Sequence, residues 1–121
     1  MSHARIFVGK TGEDLAAAEL ERRGYVILAR RERCRSGELD IVARDGPTLV
    51  FVEVKTRTGA AFGGPAEAVT AHKRQRIGRL AREWVLRRGL TNQPCRFDVV
   101  SVRIERGGNA GLEVFPNAFH A

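Results

Sequence analysis

The sequence predicts a single basic α/β domain, a central mixed sheet of about five strands flanked by α-helices. Three observations predict it. Two segments carry apolar residues at helical spacing with capping residues at their ends. Five short runs are β-rich, and two of them are joined by Asp45-Gly46-Pro47. The resulting order α-β-β-β-α-β-β is one that a compact layered domain packs around one sheet. A length of 121 residues suits one domain, and 43% hydrophobic against 29% charged residues is a globular balance.

Taken in order, Met1 to Lys10 reads as a loose arm, with the domain proper expected over residues 11–121. Thr11-Gly12-Glu13-Asp14 matches a capping box with Thr11 as N-cap. The Ala/Leu-rich stretch from Leu15 to Leu20 is then a first helix, closed by Arg22-Arg23 and Gly24. Tyr25 to Ala29 is apolar and partly β-branched, a first strand. A basic segment with Arg30, Arg31, Arg33 and Arg35 leads to Ser36-Gly37, and strands Glu38–Arg44 and Thr48–Lys55 form a hairpin. Thr58 to Pro65, with three glycines and a proline, is expected to be a mobile loop. Thr70 caps a second helix that Gly89 stops, with Ile77, Leu80, Ala81, Trp84 and Val85 as its buried stripe. Phe97–Val102 and Leu112–Phe115 are the fourth and fifth strands.

Composition excludes several function classes. No run approaches the roughly 20 apolar residues of a membrane-spanning helix, and the N-terminus lacks a secretory leader's apolar core, so no membrane and a cytoplasmic location are expected. Cys34 and Cys95, with His3, His72 and His120, have no zinc-ligand spacing, and the two thiols are expected to be free. A net charge of +7 and a pI near 10.7 favour a polyanionic partner. Most of the cations are arginine, whose planar fork suits phosphate oxygens. An arginine-rich surface can also serve solubility alone.

The chemistry concentrates in the hairpin. Alternation puts Phe51, Glu53 and Lys55 on one face and Val50, Val52 and Val54 on the other. On the preceding strand Glu38 and Asp40 point together, opposite Leu39, Ile41 and Ala43. Sending both apolar sets to one core selects the register in which Asp40 faces Glu53, their Cβ atoms within about 5.5 Å. Facing carboxylates repel unless a proton or cation lies between them. Hard oxygen ligands suit Mg²⁺ or Mn²⁺. Lys55 on the same face could hold a water or offset charge developing on phosphoryl oxygens. A Glu-x-Lys alone is equally an ordinary ion pair on a solvated strand.

Gly37-Glu38-Leu39-Asp40-Ile41-Val42-Ala43 and Leu49-Val50-Phe51-Val52-Glu53-Val54-Lys55-Thr56-Arg57 closely resemble the YraN-like family of uncharacterised bacterial proteins. The resemblance extends to Gly12-Glu13, Gly24-Tyr25, Phe62-Gly63, Lys73, Arg96-Phe97-Asp98-Val99 and Asn117-Ala118-Phe119. That family looks like a branch of the restriction-endonuclease-like, PD-(D/E)XK, superfamily near the Holliday-junction resolvases. The resemblance implies a restriction-endonuclease-like core with Asp40, Glu53 and Lys55 as catalytic residues, and Asp40, Glu53 and Glu13 as ligands of Mg²⁺ or Mn²⁺. By the same resemblance Lys73 is the helix residue that approaches the site after the core motif. Glu13 is also readable as an early-helix acid stabilised by the dipole, and Lys73 as a solvated helix charge. Two departures stand out: Leu39 replaces the motif's nominal proline, and Arg31 replaces an asparagine usual in the family.

Arg33, Arg35, Arg57, Lys73 and Arg76 are the cations expected to meet nucleic acid, DNA before RNA. Asp98 can approach the site or pair with Arg96 or Arg103; Arg–Asp pairing is the expected role. Two functions follow: a metal-dependent nuclease for structured or single-stranded DNA, or a non-catalytic nucleic-acid-binding module that works with processing partners. Resolvase-like relatives often act as pairs, so a homodimer is compatible with either.

Overall fold

The computed structural model describes residues 2–58, 69–105, 107 and 109–120, side chains of residues 2–10 and 58 excepted. The strands are β1 (Val26–Cys34), β2 (Gly37–Asp45), β3 (Thr48–Thr58), β4 (Cys95–Ile104) and β5 (Ala110–Phe115). They form one five-stranded sheet in the order β1-β2-β3-β4-β5. Only β3 and β4 run parallel, and α2 (Ala71–Arg88) supplies the crossover between them. With α1 (Ser2–Arg22), the described residues form the mixed-sheet α/β arrangement, with two helices, of a restriction-endonuclease-like core. The expected Gly-rich loop from Thr58 to Pro65 lies, beyond Thr58, outside the described residues.

The second helix follows the sequence closely. The Thr70 side chain accepts from the Lys73 amide at 3.2 Å, and Gly89 closes the helix in the left-handed region at φ 65°. Ile77, Leu80, Ala81, Trp84 and Val85 are buried as expected.

Two boundaries differ from expectation. The first helix begins at Ser2, so the segment read as a loose arm is helical from that residue and Thr11 is not its N-cap. A capping box is a local pattern, and inside a continuing helix the amides it would serve bond to the preceding turn. The first strand runs on through the basic segment to Cys34, instead of ending at Ala29. It is an edge strand, where a row of charged side chains is well tolerated and discourages pairing with other chains.

Both faces of the sheet are covered. Ile41, Ala43, Val50, Val52, Val100 and Val102 pack with Ala16, Ala17 and Leu20 of α1. Leu39, Val42, Leu49, Phe51 and Val99 pack with Ile77, Leu80 and Trp84 of α2. The expectation of one apolar face and one site face is therefore corrected. Phe51 is core, and Leu39 sides with α2 while Ile41 sides with α1. With a helix on each side, the polar residues Asp40 and Glu53 fall where β2 and β3 stop pairing, one step beyond Ile41↔Val52.

Several motif residues build the frame instead of the site. Asp98 is fully buried and accepts from Arg96 Nε at 2.9 Å, Tyr25 Oη at 3.0 Å and the Asn117 amide at 2.9 Å. The pairing with Arg96 is the expected one. Burial first, and the Asp98 charge second, push the Tyr25 hydroxyl up to about 12. Phe119, Phe97 and Phe51 stack at 5.3 and 5.7 Å, and Phe51 meets Trp84 edge-on at 5.9 Å. Together these contacts fasten the C-terminal segment to β4 and the core.

Candidate metal centre

The hairpin pairs in the expected register, from Asp45↔Thr48 to Ile41↔Val52. One step further Asp40 would sit opposite Glu53, and there the ladder stops. The Val54 amide donates to Asp40 Oδ2 at 2.9 Å, a side chain taking the place of a strand carbonyl. The two strands thus part at the site. Beyond that point β3 stays in register with β4, through Glu53↔Val99 and Lys55↔Ser101 to Thr58↔Ile104. Glu53 and Lys55 therefore project from a strand held on one side and open on the other.

Asp40 lies in a setting that resists its charge. Burial and then the facing Glu53 push its carboxyl up to about 6, against the stabilising Val54 amide. Glu53 is answered by two lysines, Lys73 Nζ at 3.0 Å and Lys55 Nζ at 3.8 Å. Lys73 arrives from the first turn of α2, whose start Thr70 fixes. Burial and then the hydrogen bond with Lys73 hold the Lys55 ammonium below the usual lysine range. Burial acts on Lys73 in the same sense, but its bonds to Lys55 and Glu53 outweigh it and keep that ammonium charged.

Glu13 reaches the neighbourhood because α1 comes unusually close to β3. A Cβ on Gly12 would fall 2.1 Å from Thr56 Oγ1, so only glycine permits this approach. The charge of Glu13 is felt at Asp40. Its carboxylate, however, is engaged by Arg31 Nε at 3.3 Å and Arg30 Nη2 at 3.5 Å. Among the described residues no group of three or more His, Cys, Asp or Glu side chains is gathered closely enough to enclose an ion. The donor set instead fits a hard divalent ion of the Mg²⁺ type, which is commonly held by one or two carboxylates and keeps several waters. Asp40 and Glu53 are two oxygen donors in a setting where uncompensated negative charge is disfavoured.

Of the cations expected to meet nucleic acid, Lys73 lies within the centre. Arg76 is exposed on α2, Arg33 is exposed on β1, and Arg57 is half-buried at the end of β3. Arg35 is exposed in the β1–β2 turn, where its amide donates to Glu83 at 2.9 Å. Residue patterns alone missed Arg30, Arg31 and the close approach at Gly12. The two arginines reach α1 through a left-handed residue in an edge strand, which side-chain alternation does not foresee.

No helix among the described residues is long and apolar enough to cross a membrane. The profile of the uncharacterised protein family UPF0102 matches residues 12–102. A UPF0102 protein of Symbiobacterium thermophilum is 52% identical over 114 residues, covering 94% of this chain and 97% of the relative. One from Geobacter sulfurreducens is 50% identical over 118 residues, covering 98% and 92%. One from Nocardia farcinica is 56% identical over 100 residues, covering 83% and 79%. With the family profile covering the β2–β3 hairpin, α2 and the C-terminal half of α1, this chain belongs to the UPF0102 (YraN-like) family.

Proposed function

We propose that this protein is a nuclease that uses Mg²⁺ or Mn²⁺ to hydrolyse phosphodiester bonds, with structured or single-stranded DNA as its first expected substrate. The observation that carries the reading is the facing pair Asp40 and Glu53 at the parted end of the hairpin, with two lysines on Glu53. Asp40 and Glu53 would hold the ion, which would supply Lewis acidity towards a phosphoryl oxygen and acidify a bound water. Lys55, paired with Glu53 at 3.8 Å, suits a role in orienting the attacking water and offsetting charge on the phosphoryl oxygens. Lys73 keeps its charge and offsets the negative charge that builds on the phosphoryl oxygens. The basic field of the chain, +7 overall, draws polyanions toward the centre.

One observation favours the second reading, a binding module without turnover: Glu53 already has both lysines as counter-charges. A single comparison separates the two. Wild type and Asp40→Ala are incubated with labelled single-stranded, duplex and four-way-junction DNA in Mn²⁺, Mg²⁺ or EDTA. The nuclease reading expects metal-dependent scission by the wild type and its loss by at least about a hundredfold in the variant, with DNA binding retained. Binding with no scission in either metal would transfer the assignment to the binding module.

A further inference from the structure

Arg31 combines three features. Its backbone is left-handed, φ 49°, a conformation that a long side chain with a Cβ rarely adopts. It lies level with Asp40, between the paired Arg30↔Ile41 and Glu32↔Leu39. Its guanidinium touches Glu13 through Nε alone, at 3.3 and 3.4 Å, and its Nη groups have no hydrogen-bond partner among the described residues. Beside it Arg30 takes Asp14 at 2.6 Å, and Glu13, Asp14, Arg30 and Arg31 line a hollow of about 210 Å³. Successive side chains of a regular strand would point to opposite faces. The left-handed residue turns both arginines toward α1.

We propose that Glu13 is the positioning carboxylate of Arg31, not a ligand of the metal, and that Arg31 offers its outward donors to a phosphate of the nucleic-acid strand beside the centre. This deepens the nuclease reading and rests on it for the identity of the neighbouring ion. Turning Glu13 to an ion would break its contacts with Arg31 and Arg30. A Mg²⁺-type centre does not need it, because two carboxylates and water suffice. A guanidinium held at Nε keeps its other edge oriented outward, and that edge matches two phosphate oxygens. The hollow beside it is open to such an anion, and the carboxylates there are already answered by Arg30 and Arg31.

Two titrations on the intact protein test the proposal. Mn²⁺ is titrated calorimetrically into wild type, Glu13→Gln and Asp40→Ala without nucleic acid. Separately, a short fluorescent single-stranded DNA is bound in EDTA across a range of salt by wild type, Arg31→Asn, Glu13→Gln and the double variant. Asparagine accepts left-handed backbone, so Arg31→Asn leaves the strand intact. The expected results are a Mn²⁺ affinity within about twofold of wild type for Glu13→Gln and a loss of at least about tenfold for Asp40→Ala. Arg31→Asn should weaken DNA binding about fivefold and reduce the slope of log affinity against log salt by about 0.7, one phosphate contact on a single strand. In the Glu13→Gln background the same change should move the slope by less, because the arginine is no longer aimed. Loss of Mn²⁺ binding in Glu13→Gln comparable to that in Asp40→Ala, or an unchanged slope in Arg31→Asn, overturns the proposal. Failure of the wild type itself to bind Mn²⁺ counts against the metal reading, and the salt slope then still decides the phosphate contact.

Discussion

Burial and the facing Glu53 push the Asp40 carboxyl up to about 6. The folded chain therefore holds this proton more tightly than the unfolded chain does. Stability from this group is present below the ordinary aspartate range and is lost as pH rises through about 4 to about 6. In EDTA at about pH 7, Asp40→Asn should be more stable than wild type by about 2 kcal/mol, a gap that closes near pH 4. Urea unfolding of both proteins at the two pH values checks this, and equal stability at neutral pH would remove the electrostatic tension argued for the site. A divalent ion should reverse the order, because it needs the deprotonated carboxylate. The rise in wild-type midpoint with Mn²⁺ should be larger at about pH 7.5 than at about pH 5.5, and absent in Asp40→Asn. Asp40 and Glu53 were legible as a pair because the turn and the valine alternation fix their register. Lys73 was legible as a candidate only by resemblance, since its contact with Glu53 spans two elements.

At the scale of elements, the centre depends on how closely α1 lies on β3. Alanine is the better helix former, so Gly12→Ala in an open helix would stabilise by about 1 kcal/mol. Here the added Cβ meets Thr56 Oγ1 at 2.1 Å and Thr56 Cγ2 at 2.9 Å, and the helix must shift. We expect a net destabilisation of about 1–3 kcal/mol, with weaker coupling between Glu13 and Arg31. Thr56→Ala should recover much of that loss in the double variant, since it removes the two nearest atoms. Thermal unfolding of the four proteins in the cycle measures it, and simple additivity would show that the contact does not limit the packing. The sequence offered Gly12 as part of a supposed helix start and of a family motif, with no sign of its close approach to β3. A helix's own pattern does not reveal which neighbour its glycine faces.

On the scale of the molecule, one buried network ties the start of β1 to the C-terminal segment. Asp98 receives Tyr25, Arg96 and the Asn117 amide, and Arg96 also reaches Asp45 at 3.0 Å beside the hairpin turn. Removing the carboxylate would leave Arg96 half-buried with one partner fewer. Asp98→Ala should therefore cost about 3–5 kcal/mol in urea unfolding. The same variant should keep wild-type affinity for Mn²⁺ in its folded fraction, because no atom of the network touches Asp40 or Glu53. A loss of ion affinity without loss of stability would assign Asp98 to the centre after all.

By itself the sequence determined the element order, the hairpin register, the limits of the second helix and the pairing of Asp98 with arginine. Each rests on short-range physics: turn chemistry, strand alternation, helix capping and the need to neutralise a buried charge. It misjudged the start of the first helix and the end of the first strand, where local patterns compete with what the rest of the chain can pack. Tertiary structure alone decided that the sheet is covered on both faces, that the hairpin parts at Asp40, and that Glu13 is held by Arg31. These depend on the distance between a helix and a strand and on one left-handed residue at a sheet edge. Neither leaves a periodic trace along the chain, because the partners are brought together only by packing.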